Sequence, residues 1–500
     1  MISDRAKLAG ILAVGLGLRL LFLRVHQTIE GDGVLYASVA EHLAQSGRLM
    51  DVSWEYHTFY PPGYPALVAP VYALVGDSHR AGQIVSLAAG MALIALVWVL
   101  GRRLAGGSVG LIAAALTAIY PPLAHQAVSV HTESMYAALL CLSVLVGLEL
   151  VERPSVGMSA LGGALVGALY LFRPEGLLLG AGVVWAVAIW IARGERPARI
   201  GARAAGFVLA LSLLVVPYVA YLHQMRGAWL LSGKGLSYRI AESPHEADAI
   251  AFGQPRPWQG LRTEGAVLAE RYLRNFFRQE GVIAEAMSIL ALGLAAVGLA
   301  GAVEWRKRLA AEGVVLGAFV PLLLYPAFEV VPRWTEPYMV VVFVYVARGI
   351  VWVAGQARIQ GRSEAVAWLF VALLAVRYAP QLAIPLRYTP SFENVEQRAA
   401  GLWIRDRFGP GTTVMSRPPE IAYYARARWV KLPYRGISGV IAEARRAGVT
   451  FIVIDELHMR RLRPDLLPLL EGPPPPGLTL VHQTDEFPQR RVRVLAVAPS

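Results

Sequence analysis

A single cysteine, Cys141, stands in this chain of 500 residues, and it lies inside an apolar run. Disulfide frameworks need pairs and thiolate metal sites need several ligands, so neither is available to any exported part. Charge is scarce as well, with 16% of residues Asp, Glu, Lys or Arg against roughly 25% in a soluble domain. No internal repeat of the kind found in many transporters is visible. No glycine-rich phosphate loop opens a helix in the polar C-terminal region, which leaves nucleotide binding there without its usual cradle. His57, His125 and His131 lack ligand spacing, so the sequence indicates no metal and no cofactor.

Apolar residues are abundant instead, at 56% with a mean hydropathy of +0.48. That is too apolar for a soluble enzyme of this length and too long for one span, so the chain reads as a polytopic α-helical membrane protein. Its net charge of +12 comes mostly from basic residues in short loops between apolar runs, where they set orientation; nucleic acid is not a partner they describe.

At about 20 apolar residues per span, the expected crossings are Leu8 to Val25, Ala81 to Leu100, Gly107 to Leu123, Ser134 to Val151, Met158 to Phe172, Gly176 to Ala192, Ala204 to His223, Val282 to Val303, Gly313 to Phe328, Tyr338 to Val353 and Ala365 to Leu382. The first reads as a retained signal anchor. Arg5 and Lys7, Arg102 and Arg103, Arg153, the Arg193 to Arg203 group, Arg306 to Arg308, and Arg348, Arg358 and Arg362 fall on alternate loops, which makes those loops cytoplasmic. Eleven spans with the N-terminus inside put the C-terminus outside. A transmembrane domain is thus expected over 1–384, with long outer loops at 26–80 and 224–281. From 385 to 500 the composition turns polar, and helical and strand-like periods alternate: helices over Glu396 to Phe408 and Ile437 to Ala447, strands at Thr413 to Met415, Phe451 to Asp455, Leu478 to His482 and Arg491 to Val497. This predicts a small extracytoplasmic α/β domain.

Candidate chemistry gathers on the outer side. Glu30 and Asp32 flank Gly31 just after the first span, ahead of an amphipathic segment with Tyr36 and the rigid run Tyr60-Pro61-Pro62-Gly63-Tyr64-Pro65. Asp32 could equally be the N-cap of that helix. Glu133, in His131-Thr132-Glu133, opens the fourth span, where a carboxylate also suits the positive end of a helix. Acid and base chemistry needs such groups near one substrate, and two outer loops each supply one. Arg333, beside Trp334, can anchor at the interface or clamp a lipid phosphate in bidentate fashion. Lys234, between Gly233 and Gly235, could serve the same phosphate, and Arg173 could simply pair with Glu175. Arg19 inside the first span is costly to insert, and snorkelling to the surface is its simplest account.

These motifs, in this order and on this side, resemble the GT-C superfamily of integral-membrane glycosyltransferases, in particular the branch of bacterial protein mannosyltransferases and lipid A aminoarabinose transferases. The matching residues are Glu30-Gly31-Asp32 with Tyr36, the Tyr60 to Pro65 run, His131-Thr132-Glu133, Phe172-Arg173-Pro174-Glu175-Gly176-Leu177, and Pro332-Arg333-Trp334 with Pro337. The resemblance implies a multi-pass protein of the plasma (bacterial inner) membrane. It also implies a polyprenyl-phosphate-linked sugar donor and inverting transfer of a hexosyl or pentosyl group to a lipid, glycan or protein acceptor at the outer face. On this pattern Asp32 is the base, Glu133 orients the acceptor or assists, and Arg333 with Lys234 neutralises the leaving phosphate; Glu30, Tyr36, Tyr60, His131 and Arg173 bind substrate. Two rivals stay open: a lipid or sugar transporter or flippase, and a ligase or oligosaccharyltransferase using pyrophosphate-linked glycans.

Overall fold

Helices occupy the apolar stretches of the sequence, and prolines and glycines set where they stop. The computed structural model describes residues 3–234, 261–300, 305–327, 330–356, 363–387, 393–484, 486–487 and 490–498. The middle of the second long loop, Gly235 included, and the loop arginines Arg358 and Arg362 lie outside the described residues.

From the N-terminus, α1 (Asp4–Leu23) leads through two helices of the first long loop, α2 (Gly31–Ser46) and α3 (Gly63–Val75), to α4 (Ser78–Ala105). Next come α5 (Gly107–Ile119), the short α6 (Pro121–Gln126), α7 (Glu133–Glu152) and α8 (Val156–Phe172). A 3-10 turn (Pro174–Gly180) runs into α9 (Ala181–Ala192), followed by α10 (Pro197–Arg226). The second half holds α11 (Leu261–Met287), α12 (Ile289–Ala300), α13 (Trp305–Gly317), α14 (Pro332–Gln356) and α15 (Ser363–Leu382).

Among the described residues, seven helical segments are long and apolar enough to cross a membrane, and two bent pairs raise the number to nine. One pair, Leu268–Met287 with Ile289–Ala300, turns by 100°; the other, Arg308–Gly317 with Val320–Ala327, by 48°. The two other expected spans are α5 and α8, apolar helices of 13 and 17 residues. Proline explains the first of these. Pro122 has no N–H, so the carbonyl of Ala118 loses its helical donor and α5 ends. Arg19 replaces that donor: its Nη1 lies 3.2 Å from the Ala118 oxygen and 3.0 Å from that of Gly15. Arg19 is fully buried, so the guanidinium does not snorkel; it stitches α1 to the break between α5 and α6.

Close helix contact in the second half depends on glycine, as is common where backbones touch in lipid. A Cβ on Gly349 of α14 would sit 1.9 Å from the Leu294 carbonyl oxygen, and one on Gly298 of α12 would sit 2.0 Å from that of Tyr345. Beside this seam the buried Arg348 Nη1 meets Glu312 Oε1 at 2.6 Å, and Tyr345 donates to the other Glu312 oxygen at 2.7 Å. Pairing is what makes such charges tolerable away from water.

The C-terminal portion carries α16 (Val395–Phe408) and a five-stranded sheet of β1 (Thr413–Ser416), β2 (Arg428–Lys431), β3 (Phe451–Asp455), β4 (Leu478–Thr484) and β5 (Val492–Val497). Strand order is β2-β1-β3-β5-β4, with β1 parallel to both β2 and β3, and β5 antiparallel to β3 and β4. The fully buried run Phe451 to Asp455 is its centre. The C-terminal portion grips the first long loop through β2 and the helix Glu420–Ala425. The Ile29 N–H donates to the Tyr424 hydroxyl at 2.9 Å, the Trp429 N–H donates to the Val52 carbonyl at 2.9 Å, and the hydroxyls of Ser78 and Tyr423 are 2.8 Å apart.

Gly349→Val should lower the thermal unfolding temperature of the detergent-purified protein by several degrees, because overpacking against backbone typically costs about 1–3 kcal/mol. An unchanged transition by scanning fluorimetry would mean that α12 and α14 are not in backbone contact.

Candidate active site

Six segments far apart in the chain converge on one cavity of about 190 Å³. Its wall includes Asp32, Tyr60, Glu133, Arg173, Lys234 and Arg333, with Tyr36 and His131 among the other lining residues. Of the residues singled out in the sequence, only Glu30 stays out: it is exposed at the N-cap of α2 and faces a small adjoining void.

Asp32 sits in the first turn of α2, and the N-cap is Glu30, not Asp32. The Asp32 carboxylate is therefore free to look across the cavity. It accepts the Tyr60 hydroxyl at 2.6 Å on one oxygen and a hydrogen bond from Arg333 Nη2 on the other. Burial alone would raise this carboxyl, but Arg333, then Lys234 and His131, and the Tyr60 bond outweigh it and hold the group well below the usual carboxylate range. Asp32 is consequently an anion locked in an ion pair.

Glu133 is the first residue of α7, after Thr132 at the N-cap. It is 3% exposed and bridges two guanidiniums, with Arg173 at 3.6 Å and Arg333 at 3.8 Å. Helix-end placement and a place in the cavity wall thus coincide. Arg173 also bonds Glu175 at 2.7 Å and lies over the Tyr136 ring at 5.6 Å, so its pairing extends beyond its near neighbour. His131 is 4% exposed, with Nε2 3.4 Å from Arg333 Nη1.

Aromatic side chains and tight turns hold these groups. Tyr36 is buried against Tyr60 and Tyr64, with ring centroids 4.9 and 5.4 Å away. His57 braces the Tyr60 turn: its Nδ1 bonds Asp51 at 2.8 Å and its Nε2 accepts the Tyr60 N–H at 3.0 Å. Lys234 Nζ rests 4.5 Å from the Tyr60 ring centre and 5.3 Å from that of Phe59. Gly233 makes that approach possible, since a Cβ there would collide with the Thr58 carbonyl oxygen at 1.5 Å.

Tyr325 was not singled out in the sequence. Its hydroxyl donates to Glu175 at 2.9 Å and lies 3.3 Å from that of Tyr338, which is 3.0 Å from that of Tyr136. Only a Tyr-Pro pair at 325–326, like the one at 60–61, marks it. No group of three His, Cys, Asp or Glu side chains that could hold a metal ion occurs among the described residues.

A multi-pass membrane protein with a charged cavity at the meeting of its loops and a soluble sheet over one end is the class these features define. Its fold is shared with solved membrane proteins that include an archaeal oligosaccharyltransferase. Residues 60–221 match the family model described as dolichyl-phosphate-mannose-protein mannosyltransferase. ArnT from Cupriavidus metallidurans superposes with a TM-score of 0.60 when bound to undecaprenyl phosphate (14% identity) and 0.62 in the apo state (13% identity), over 98% of both chains in each case. The Archaeoglobus fulgidus oligosaccharyltransferase AglB, in complex with an inhibitory peptide and a dolichol-phosphate, gives a TM-score of 0.56 at 13% identity over 91% of this chain and 70% of its own. No curated protein matches the chain by sequence.

Gly233→Ala should push residues 232–234 away from Thr58 and lower the thermal unfolding temperature, because a Cβ there meets backbone; an unchanged transition would mean that the two segments are not in contact. The acid side of stability offers a second check. A carboxyl held low in the folded state stabilises above its unfolded value near pH 4, and that contribution is lost as pH falls toward the folded value. Asp32→Asn should therefore flatten the loss of stability below about pH 4, read by acid titration of unfolding; an unchanged acid limb would mean that the Asp32 to Arg333 pair does not form.

Proposed function

We propose that the protein is a plasma-membrane glycosyltransferase that takes a sugar from a polyprenyl-phosphate donor and delivers it to an acceptor at the outer face, with inversion, using Asp32 as base. The observation that carries this reading is the joining, in one cavity, of an ionised aspartate, a buried glutamate and three cations from different loops.

Chemistry at the sugar follows from charge. The acceptor O–H or N–H yields its proton to Asp32 as its heteroatom bonds to the anomeric carbon. The bond from that carbon to the phosphate oxygen breaks on the opposite face, and its electron pair leaves with the polyprenyl phosphate. Such a leaving group needs no general acid. Arg333 and Lys234 stabilise the charge that develops on it, an effect strongest where water is excluded.

Arg333 is also bound to Asp32. A phosphate arriving between Arg333 and Lys234 competes for that guanidinium and releases the carboxylate, so donor binding arms the base. Glu133, bridging Arg173 and Arg333, keeps Arg333 in the cavity while it changes partner. Both ArnT and AglB were captured with a polyprenyl-type phosphate, which supports a donor of this kind. The basic-loop pattern supports a cytoplasmic N-terminus and an outer sheet, over a transmembrane domain at 1–384 and a C-terminal domain at 385–500. Glu30 has no part in the proton transfer; its exposed position suits a contact with the acceptor.

Asp32→Asn should lower turnover by about 100 to 10,000 fold with folding retained, the usual worth of a general base; a fully active Asn variant would remove Asp32 from the mechanism. Arg333→Ala should raise the KM for the lipid donor more than that for the acceptor, and equal rises would reduce Arg333 to a structural role. Mass analysis of the lipid product separates this reading from the oligosaccharyltransferase one, with free polyprenyl phosphate expected and polyprenyl pyrophosphate decisive against it.

A further inference from the structure

A second cavity, of about 600 Å³, opens between α1, α4, α16 and residues 423–426, and none of its lining residues lines the active-site cavity. Its floor and its roof differ in character. Leu23, from the end of α1, and Ile84 and Leu87, from the first turns of α4, line one side; Ile84 is 46% exposed, as an apolar side chain facing lipid would be. The other side is cationic. Arg398 and Arg405 lie seven positions apart on one stripe of α16, with Leu402 between them and Arg426 nearby, and Arg80 adds a further cation one turn before Ile84 on α4.

Two of these guanidiniums are already engaged, Arg426 with Glu41 and Arg405 with Asp406. Arg80 and Arg398 have no carboxylate partner among the described residues, and Arg398 stacks over Tyr424 at 6.0 Å. The one acidic side chain in the lining, Asp77, accepts from the Arg80 backbone N–H at 2.9 Å as the cap of α4. A basic pocket edged by hydrocarbon-facing leucines at a membrane surface has the complementarity of an anionic lipid headgroup.

We infer that this cleft holds an anionic phospholipid, its phosphate between Arg80 and Arg398 and its acyl chains along Leu23, Ile84 and Leu87. The lipid would wedge the C-terminal portion against the ends of α1 and α4. A smaller void shares His26 and His79 with this cleft and His131 with the active-site cavity, so an occupant would rest behind the segment that carries Asp32.

The test is binding of phosphatidylglycerol and phosphatidylcholine to the full-length protein in detergent, read by native mass spectrometry. Phosphatidylglycerol should bind at least tenfold more tightly than phosphatidylcholine. An Arg80→Gln and Arg398→Gln double variant should lose that preference, the corresponding double Lys variant should keep most of it, and Asp32→Asn should leave it untouched. If the double Gln variant fails to fold, the exposed Arg80→Gln alone should still reduce the preference severalfold. Equal binding of the two lipids, an unchanged preference in the Gln variants, or displacement of the lipid by equimolar inorganic phosphate would each overturn the proposal, the last by making the cleft a site for a soluble anion.

Discussion

Charge held at the edge of a bilayer must be neutralised by other charge, and that requirement organises the centre of this molecule. Asp32, Arg333, Glu133, Arg173 and Glu175 alternate in sign through successive contacts, ending on the Tyr325 hydroxyl. Removing one member would strand its neighbours, which is dearer in a dry site than any single pair is worth. On the proposed function, an arriving phosphate takes over a partner that a carboxylate already holds, so no positive charge is buried unpaired.

Much of this was legible in the chain. Apolar runs betray helices because nothing else satisfies the backbone in lipid, and each of the eleven expected stretches overlaps one or more helices among the described residues, seven to nine of them long and apolar enough to cross a membrane. The carboxylates and cations were legible for a related reason: Asp32, Glu133, Arg173 and Arg333 stand at the ends of apolar runs, where a charge is conspicuous. Gly233 and Pro122 act through what they lack, a Cβ and an N–H, and their partners are visible only when Thr58 and Ala118 come into place.

Tertiary pairing was beyond reach for the same reason. Nothing in the sequence ties Asp32 to a guanidinium 301 residues away, and Tyr325 hides in a run that reads as one more span. Arg19 reads as an expense until the Ala118 carbonyl it satisfies is known. β2 was not marked in the sequence, where its two apolar residues stand between two cations; it pairs in parallel with the edge that β1 offers. α3 sits in what reads as loop, since its apolar face finds cover in tertiary packing.

The C-terminal portion's hold on the first long loop extends beyond its own stability. Tyr424 reaches the Ile29 amide, three residues from the aspartate that meets Arg333, and Trp429 fastens Val52 farther along the same loop. The C-terminal part therefore serves as a jig for the membrane-bound machinery. A chimera that exchanged it for another soluble module would have to reproduce those few anchor points, or the aspartate would lose its alignment while every helix in the bilayer stayed in place.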